Sequence, residues 1–248
     1  MGCLKHWKIV IEYDGGRYCG WQAQSNGCSI QGEIARALET ILKEPVKVGG
    51  AGRTDAGVHA LGQVADFNTI VDVDPGRLRW QLNALLPDDI IIREIEEVSE
   101  NFDARRSAIA RTYSYFILNR SAPSPFWGRY SWWVSRPLDI AGMRDAAERL
   151  VGIHDFSALT VAKVGPMVRD VKAIEIEPNA ETDDLVRVTI AANAFLHHMV
   201  RLIVGTLVEV GVGKLPAAAV DEILASKDVR RAGPRAPAKG LRLDRVDY

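Results

Sequence analysis

Apolar residues along the chain fall into blocks with a period of two or of three to four, and these blocks predict its elements. Trp7 to Tyr13 (WKIVIEY) is rich in β-branched and aromatic residues and is closed by Asp14-Gly15-Gly16, which predicts a strand ending in a turn. Ser29 offers an N-cap to a helix in which Ile30, Ile34, Leu38, Ile41 and Leu42 share one face, and Pro45 stops it. A short strand around Val46 to Val48, a Gly-rich loop and an alternating stretch from Gln63 to Phe67 follow. A second helix is predicted from Pro75, a residue suited to the first turn, to Leu86, ahead of a β-rich segment from Ile90 to Val98. The order β-α-β-β-α-β is that of a ferredoxin-like unit.

The second half repeats this logic less cleanly. It opens with a strand at Arg111 to Leu118 and a connection containing Pro123, Pro125, Trp127, Trp132 and Trp133. A helix from about Asp139 to Val151, strands near Val171 to Glu177 and Leu185 to Ala192, and a long apolar helix from about Phe195 to Val210 come next. A shorter helix near Pro216 to Ala225 and a final strand at Leu241 to Val246 complete it. Two α+β halves are expected, 1–105 and 106–248. The join has no Gly/Ser linker, which favours halves packed together over freely moving modules.

With 248 residues, 47% of them hydrophobic, the chain can bury a substantial core. Its 31 Lys plus Arg against 32 Asp plus Glu give a net charge of -1, which excludes a protein that grips nucleic acid through its global field. Positive charge is gathered locally instead: Arg230, Arg231, Arg235, Lys239, Arg242 and Arg245 outnumber Asp228, Asp244 and Asp247 at the C-terminal end. Cys3, Cys19 and Cys28 are odd in number and form no Cys-x-x-Cys pair, so neither a disulfide framework nor a zinc site is indicated. No run of about eighteen apolar residues appears, and Lys5, His6 and Lys8 break up the N-terminal stretch. Met1-Gly2 begins like a myristoylation signal, but His6 stands where Ser or Thr is needed. A cytoplasmic protein without membrane attachment is the expectation.

Three stretches carry candidate chemistry. In Gly49 to Ala60 (GGAGRTDAGVHA), glycines bracket Arg53, Thr54 and Asp55, so the backbone can bend sharply and present charged side chains at the bend. The Lys-Ser/Thr of a P-loop is missing, and the bland alternative is an ordinary turn with a solvated Arg and Asp. In the long helix, apolar residues occupy nearly every side, which predicts burial and requires an anionic partner for Arg201. His197 lies one turn before Arg201 in that reading and His198 points about 100° away, which makes a paired-His metal site unfavourable. On the strand from Arg111 to Phe116, Tyr113 and Tyr115 share a face by alternation, either as core or as a stacking platform for a base.

GGAGRTDAGVHA resembles the signature loop of the tRNA pseudouridine synthase A family. The likeness continues in FDARRSAIARTYSYFI (Phe102 to Ile117), NAFLHHMVRLIVGTLVEVG (Asn193 to Gly211) and AGPRAPAKGLRLDRVDY (Ala232 to Tyr248), spread over nearly the whole chain. The resemblance implies two ferredoxin-like α/β halves in a pseudouridine synthase fold, with a mixed, mostly antiparallel central sheet and a cleft between the halves. It implies that Asp55 is the catalytic aspartate, that Arg53 extrudes and holds the target nucleotide, and that Tyr113 stacks on the uracil. Arg201 is then the salt-bridge partner of Asp55, Leu241 packs at the floor of the pocket, and His59, in the signature loop, counts among the substrate-binding residues.

The implied substrate is tRNA, at uridines 38, 39 and 40 of the anticodon stem-loop, and the implied assembly is a homodimer. Isomerisation neither gains nor loses atoms, so no cofactor or metal is expected, in keeping with the missing dinucleotide fingerprint and metal-ligand cluster. Two departures stand out: 156–169 is shorter than in the best-known relatives and carries Thr160 where a basic residue is expected, and a C-terminal extension found in some members does not follow Tyr248. Two other function classes are open to the residues: a ferredoxin-like RNA-binding module without chemistry, and a carboxylate-dependent hydrolase using Asp14, Asp55 and His59.

Overall fold

A computed structural model describes residues 4–24, 27–179 and 182–248. Cys3 and the Met1-Gly2 start lie outside the described residues. The chain divides into two compact units, one of Met1–Ile109 with Leu243–Tyr248 and the other of Ala110–Arg242.

In the first unit, β1 (Lys5–Tyr13), α1 (Ile30–Leu42), β2 (Gly49–Gly50), β3 (His59–Thr69), α2 (Pro75–Leu85) and β4 (Ile90–Val98) follow one another in the predicted β-α-β-β-α-β order, although β2 is not at its predicted place. β1 runs between β4 and β3, antiparallel to both, and β2 pairs antiparallel with β3, which is the strand arrangement of a ferredoxin-like sheet. Alternation sorts β1 into two faces: Trp7, Ile9, Ile11 and Tyr13 are buried on one. Val10 on the other packs with Ala51, Val64, Phe102, Ala104 and Val246. Ser29 caps α1 by accepting from the Gly32 N–H, and Asp74 caps α2 ahead of Pro75 by accepting from the Arg77 N–H.

The predicted strand at Val46 to Val48 is absent. Both valines are buried, but α1 side chains satisfy the backbone there: the Val46 N–H donates to Glu39 Oε1 at 3.3 Å and the Val48 carbonyl accepts from Gln31 Nε2 at 2.7 Å. Pairing begins only at Gly49, opposite Asp66. The final strand, β10 (Leu241–Asp247), runs beside β3 from Leu243 onward, so closely that a Cβ on Gly62 would lie 2.5 Å from the Asp244 carbonyl oxygen. Tyr248 closes this unit by donating its hydroxyl to the Ala104 carbonyl at 2.8 Å.

The second unit holds β5 (Ala110–Asn119), β6 (Trp132–Val134), α3 (Ile140–Glu148), β7 (Gly152–Asp155), β8 (Val168–Asn179), β9 (Thr182–Ala192), α4 (Met199–Gly211) and α5 (Ala219–Ser226). The order β5-β9-β8-β7 is antiparallel throughout, with β6 parallel to β5. Every residue of α4 except Glu209 is buried, as its all-round apolar sequence requires.

Its start, however, is Met199 and not Phe195. His198 sits in the left-handed region (φ +64), a conformation that cannot lie inside a helix, and the Thr160 hydroxyl holds the His197 carbonyl at 3.0 Å. His197 is therefore not one helical turn before Arg201, and the 100° separation of the two histidines fails with it: their rings lie 3.8 Å apart, tilted by 35°.

Backbone runs against α4 where its side chains vanish. A Cβ on Gly205 would lie 1.6 Å from the Pro234 carbonyl oxygen, and one on Gly233 would lie 2.6 Å from the Gly205 carbonyl. Gly205→Ala should therefore lose roughly 1–3 kcal/mol of stability by overpacking, outweighing the ~1 kcal/mol of helix propensity that alanine adds. Calorimetry should show a lower melting midpoint; an unchanged or raised midpoint would contradict this packing.

Candidate active site

The bend that carries Asp55 is fixed from beneath by buried polar groups of the first unit. The Ala51 N–H donates to the Val64 carbonyl at 2.8 Å as the chain leaves β2. Gln63, fully buried on β3, donates Nε2 to the Gly52 carbonyl at 3.0 Å and reaches the Tyr13 hydroxyl at 3.5 Å. That hydroxyl, at the end of β1, shares a 2.8 Å hydrogen bond with Thr54 Oγ1. Thr54 therefore points into the unit and is buried, while its neighbours take the opposite side: Arg53 is exposed and Asp55 partly so. The Asp55 carbonyl accepts from the Val58 N–H at 3.1 Å, closing a turn in which Gly57 adopts φ +79 at the third position, as a type II turn demands.

The loop is also backed by main chain. The Trp21 N–H donates to the Thr54 carbonyl at 3.0 Å, and Gly20, at φ +95, lies so close that a Cβ there would fall 2.6 Å from that same oxygen and 3.1 Å from the Asp55 carbonyl carbon. The Trp21 indole in turn fills the space over Gly50. His59, buried at the start of β3, binds the turn after β1: its Nδ1 accepts from the Gly15 N–H at 3.2 Å and lies 3.0 Å from Asp14 Oδ1. A hydroxyl in such surroundings gives up its proton reluctantly, and burial pushes the Tyr13 phenol up to about 12, with the Thr54 and Gln63 hydrogen bonds opposing only part of the shift.

The remaining candidates belong to the second unit. Tyr113 is buried on β5 with its ring edge-to-face against Phe195, centroids 5.1 Å apart. Tyr115, two residues on, is wholly buried and donates its hydroxyl to the Pro237 carbonyl at 2.8 Å. Arg201 lies in the first turn of α4, 9% exposed, with Nε donating to the Ala236 carbonyl at 2.7 Å. Its own carbonyl accepts from the Ala236 N–H at 3.1 Å, which clamps the 234–237 segment to the helix. Leu241 is buried at the head of β10, next to Arg242, whose guanidinium lies 4.8 Å from the Phe116 ring centroid. Thr160, noted in the sequence for not being basic, is 1% exposed and tethers the segment before α4.

A family model described as tRNA pseudouridine synthase matches residues 9–105 and 146–248, which take in the Asp55 bend, Arg201 and Leu241. The chain belongs to the tRNA pseudouridine synthase family. It is 42% identical to the tRNA pseudouridine synthase A of Thermoanaerobacter sp. (strain X514) over 99% of this chain and 100% of that protein. It is 45% identical to that of Myxococcus xanthus over 97% of this chain and 91% of the relative, and 45% identical to that of Methylobacterium radiotolerans over 99% and 98%. Among solved structures, the archaeal box H/ACA sRNP Nop10-Cbf5 complex aligns with a TM-score of 0.42 at 14% identity, covering 97% of this chain and 48% of that one.

In this tRNA pseudouridine synthase the first unit brings Arg53, Asp55 and His59 into one stretch, and the second holds Tyr113, Arg201 and Leu241. The Tyr13–Thr54–Gln63 network and the Gly20–Trp21 backing were not singled out from the sequence. Tyr13 was within reach of the pattern, as the last residue of β1 in the buried register, whereas Gln63 and Gly20 gave no local signal. The Tyr13 phenol yields a pH prediction. Its proton is held more tightly folded than unfolded, so the stability it confers is fully present below pH ~10 and is lost as pH rises toward 12. Tyr13→Phe should flatten part of the alkaline loss of stability between these values in denaturation titrations; an unaltered alkaline profile would contradict the burial of this hydroxyl.

Proposed function

We propose that the chain isomerises uridine to pseudouridine in tRNA, at positions 38, 39 and 40 on the 3′ side of the anticodon stem-loop, with Asp55 as the catalytic carboxylate. The observation that carries this is a built bend, in a chain of this family, whose interior side is anchored by Thr54 while Arg53 and Asp55 are turned outward. A uridine in a stacked stem is out of reach, so it must be flipped at a cost of a few kcal/mol; Arg53, exposed at the bend, props the vacated position. Asp55 then attacks the uracil ring or the anomeric carbon, or removes a ribose proton. The base turns, rejoins the ribose through carbon, and releases the proton of that carbon.

Tyr113 stacks on the uracil and is the candidate to accept that last proton, Leu241 forms the floor beneath the base, and His59 supports the binding loop. Arg201 pairs with Asp55, its guanidinium already oriented by the Ala236 carbonyl. The enzyme works in the cytoplasm as a homodimer on one tRNA, without metal or cofactor. No helix among the described residues is long and apolar enough to cross a membrane. RNA is held through phosphates and shape by Arg105, Arg106, Arg169 and the C-terminal arginines, so binding weakens steeply with salt; Arg111, expected from the sequence to join them, is buried and donates to the Asn193 carbonyl at 2.8 Å.

Release of tritium from carbon 5 of uridine in unmodified tRNA measures the reaction directly. The chain should release it, and Asp55→Asn should reduce release by at least about a thousandfold (~4 kcal/mol) while tRNA affinity changes little. Substantial turnover by Asp55→Asn would refute the role of this carboxylate, and no release by the parent chain would favour a non-catalytic RNA-binding module.

A further inference from the structure

Two thiols lie together in the segment that backs the Asp55 bend. The Cys19 N–H donates to the Cys28 carbonyl at 2.9 Å, which joins the two residues across the loop between β1 and α1. The Cys19 side chain is turned toward this partner segment: a Cβ added to Gly27, the residue before Cys28, would fall 2.5 Å from Cys19 Sγ. Both cysteines are exposed and reduced, so an oxidant from solvent can reach either. The Cys28 thiol donates to Glu33 Oε1 at 2.9 Å, and this hydrogen bond raises its pKa and keeps it protonated. Cys19 is left to react first, with Cys28 placed to resolve it.

We propose that Cys19 and Cys28 are an oxidation site for peroxide-class oxidants, closing to a reversible disulfide that slows the enzyme by shifting the backing of the Asp55 bend. The Cys19 thiolate attacks a peroxide oxygen and becomes a sulfenic acid, and the released hydroxide takes up a proton to leave as water. Cys28 passes its proton to the Glu33 carboxylate, and its thiolate attacks the Cys19 sulfur and displaces hydroxide, which recovers that proton as a second water. In total, two thiols and one hydrogen peroxide give one disulfide and two waters, and a dithiol reductant reverses the change.

The consequence for activity follows from the neighbours. Gly20 follows Cys19 directly and has no room against the carbonyl of Thr54 or the backbone of Asp55, and Trp21 donates to Thr54. To close the bond Cys28 must leave Glu33 and Cys19 must swing toward it, a movement that Gly20 and Trp21 transmit to the bend. Trypsin leaves both thiols on one peptide, Tyr18–Arg36, which makes the test simple.

The whole chain is treated with hydrogen peroxide, quenched with N-ethylmaleimide, digested and weighed. The peptide should appear two hydrogens lighter and unalkylated, and should take up two maleimides after dithiothreitol. Tritium release from tRNA should fall twofold or more on oxidation and recover on reduction, and Cys28→Ser should match the parent when reduced and lose no such activity through a link. Maleimide on both thiols, a Cys19 sulfinic acid without the link, or full linkage with unchanged turnover would each overturn the proposal. The activity arm rests on the isomerase reading. If the reduced parent is inactive, that reading fails, while the peptide mass still decides whether the disulfide forms.

Discussion

One close approach of main chain governs the arrangement: Gly20 lies against Thr54, Asp55 and Ala56 with no space for a side chain between them, and Trp21 next to it donates its N–H to the Thr54 carbonyl. A residue with a Cβ at position 20 would have to adopt φ +95 and would also meet a carbonyl oxygen at 2.6 Å, so the loop between β1 and α1 and the loop between β2 and β3 are placed as a pair. The Trp21 N–H adds direction to the contact, and Tyr13 and Gln63 fix the same loop from the sheet side. The Asp55 carboxylate therefore hangs from a backbone held on two sides, although it is itself on a bend. Such rigidity is what a group needs if its geometry is to be set before substrate arrives.

The second unit meets a similar demand by different means. A helix buried nearly all round brings Arg201 inward, and a carbonyl from the 234–237 segment takes the Nε–H so that the guanidinium is oriented in place. Gly205 and Gly233 let that segment lie flat on the helix. Thr160 extends the arrangement by holding the residues just before α4. In both units the residues proposed to touch RNA are supported by small or uncharged residues whose role is visible only in three dimensions.

The chain states its long, strongly periodic elements openly. Ser29, the spacing of Ile30, Ile34 and Leu38, and the Asp74-Pro75 pair locate α1 and α2 because caps and spacing act locally. Val46 and Val48 mimic a strand since burial alone makes a segment apolar, and only the Gln31 and Glu39 side chains reveal that its backbone is bonded elsewhere. Leu196 extends the apolar spacing of α4 in the same misleading way, while the left-handed His198 has no sequence marker. The short strands β6 and β7 are too brief to show a period. At the site, glycine density and the family resemblance made the Asp55 loop conspicuous. The Tyr13–Thr54–Gln63 bonds join residues far apart in sequence and could not be read from any one stretch.

The central claim, that backbone contact at residue 20 sets the working position of Asp55, is tested most directly by the single-turnover rate of pseudouridine formation in a Gly20→Ala chain under saturating enzyme. The account predicts a fall of about tenfold or more with tRNA affinity nearly unchanged, since the group that binds less well is the transition state (~1.4 kcal/mol per decade). A folded Gly20→Ala chain that turns over at the parental rate would contradict it.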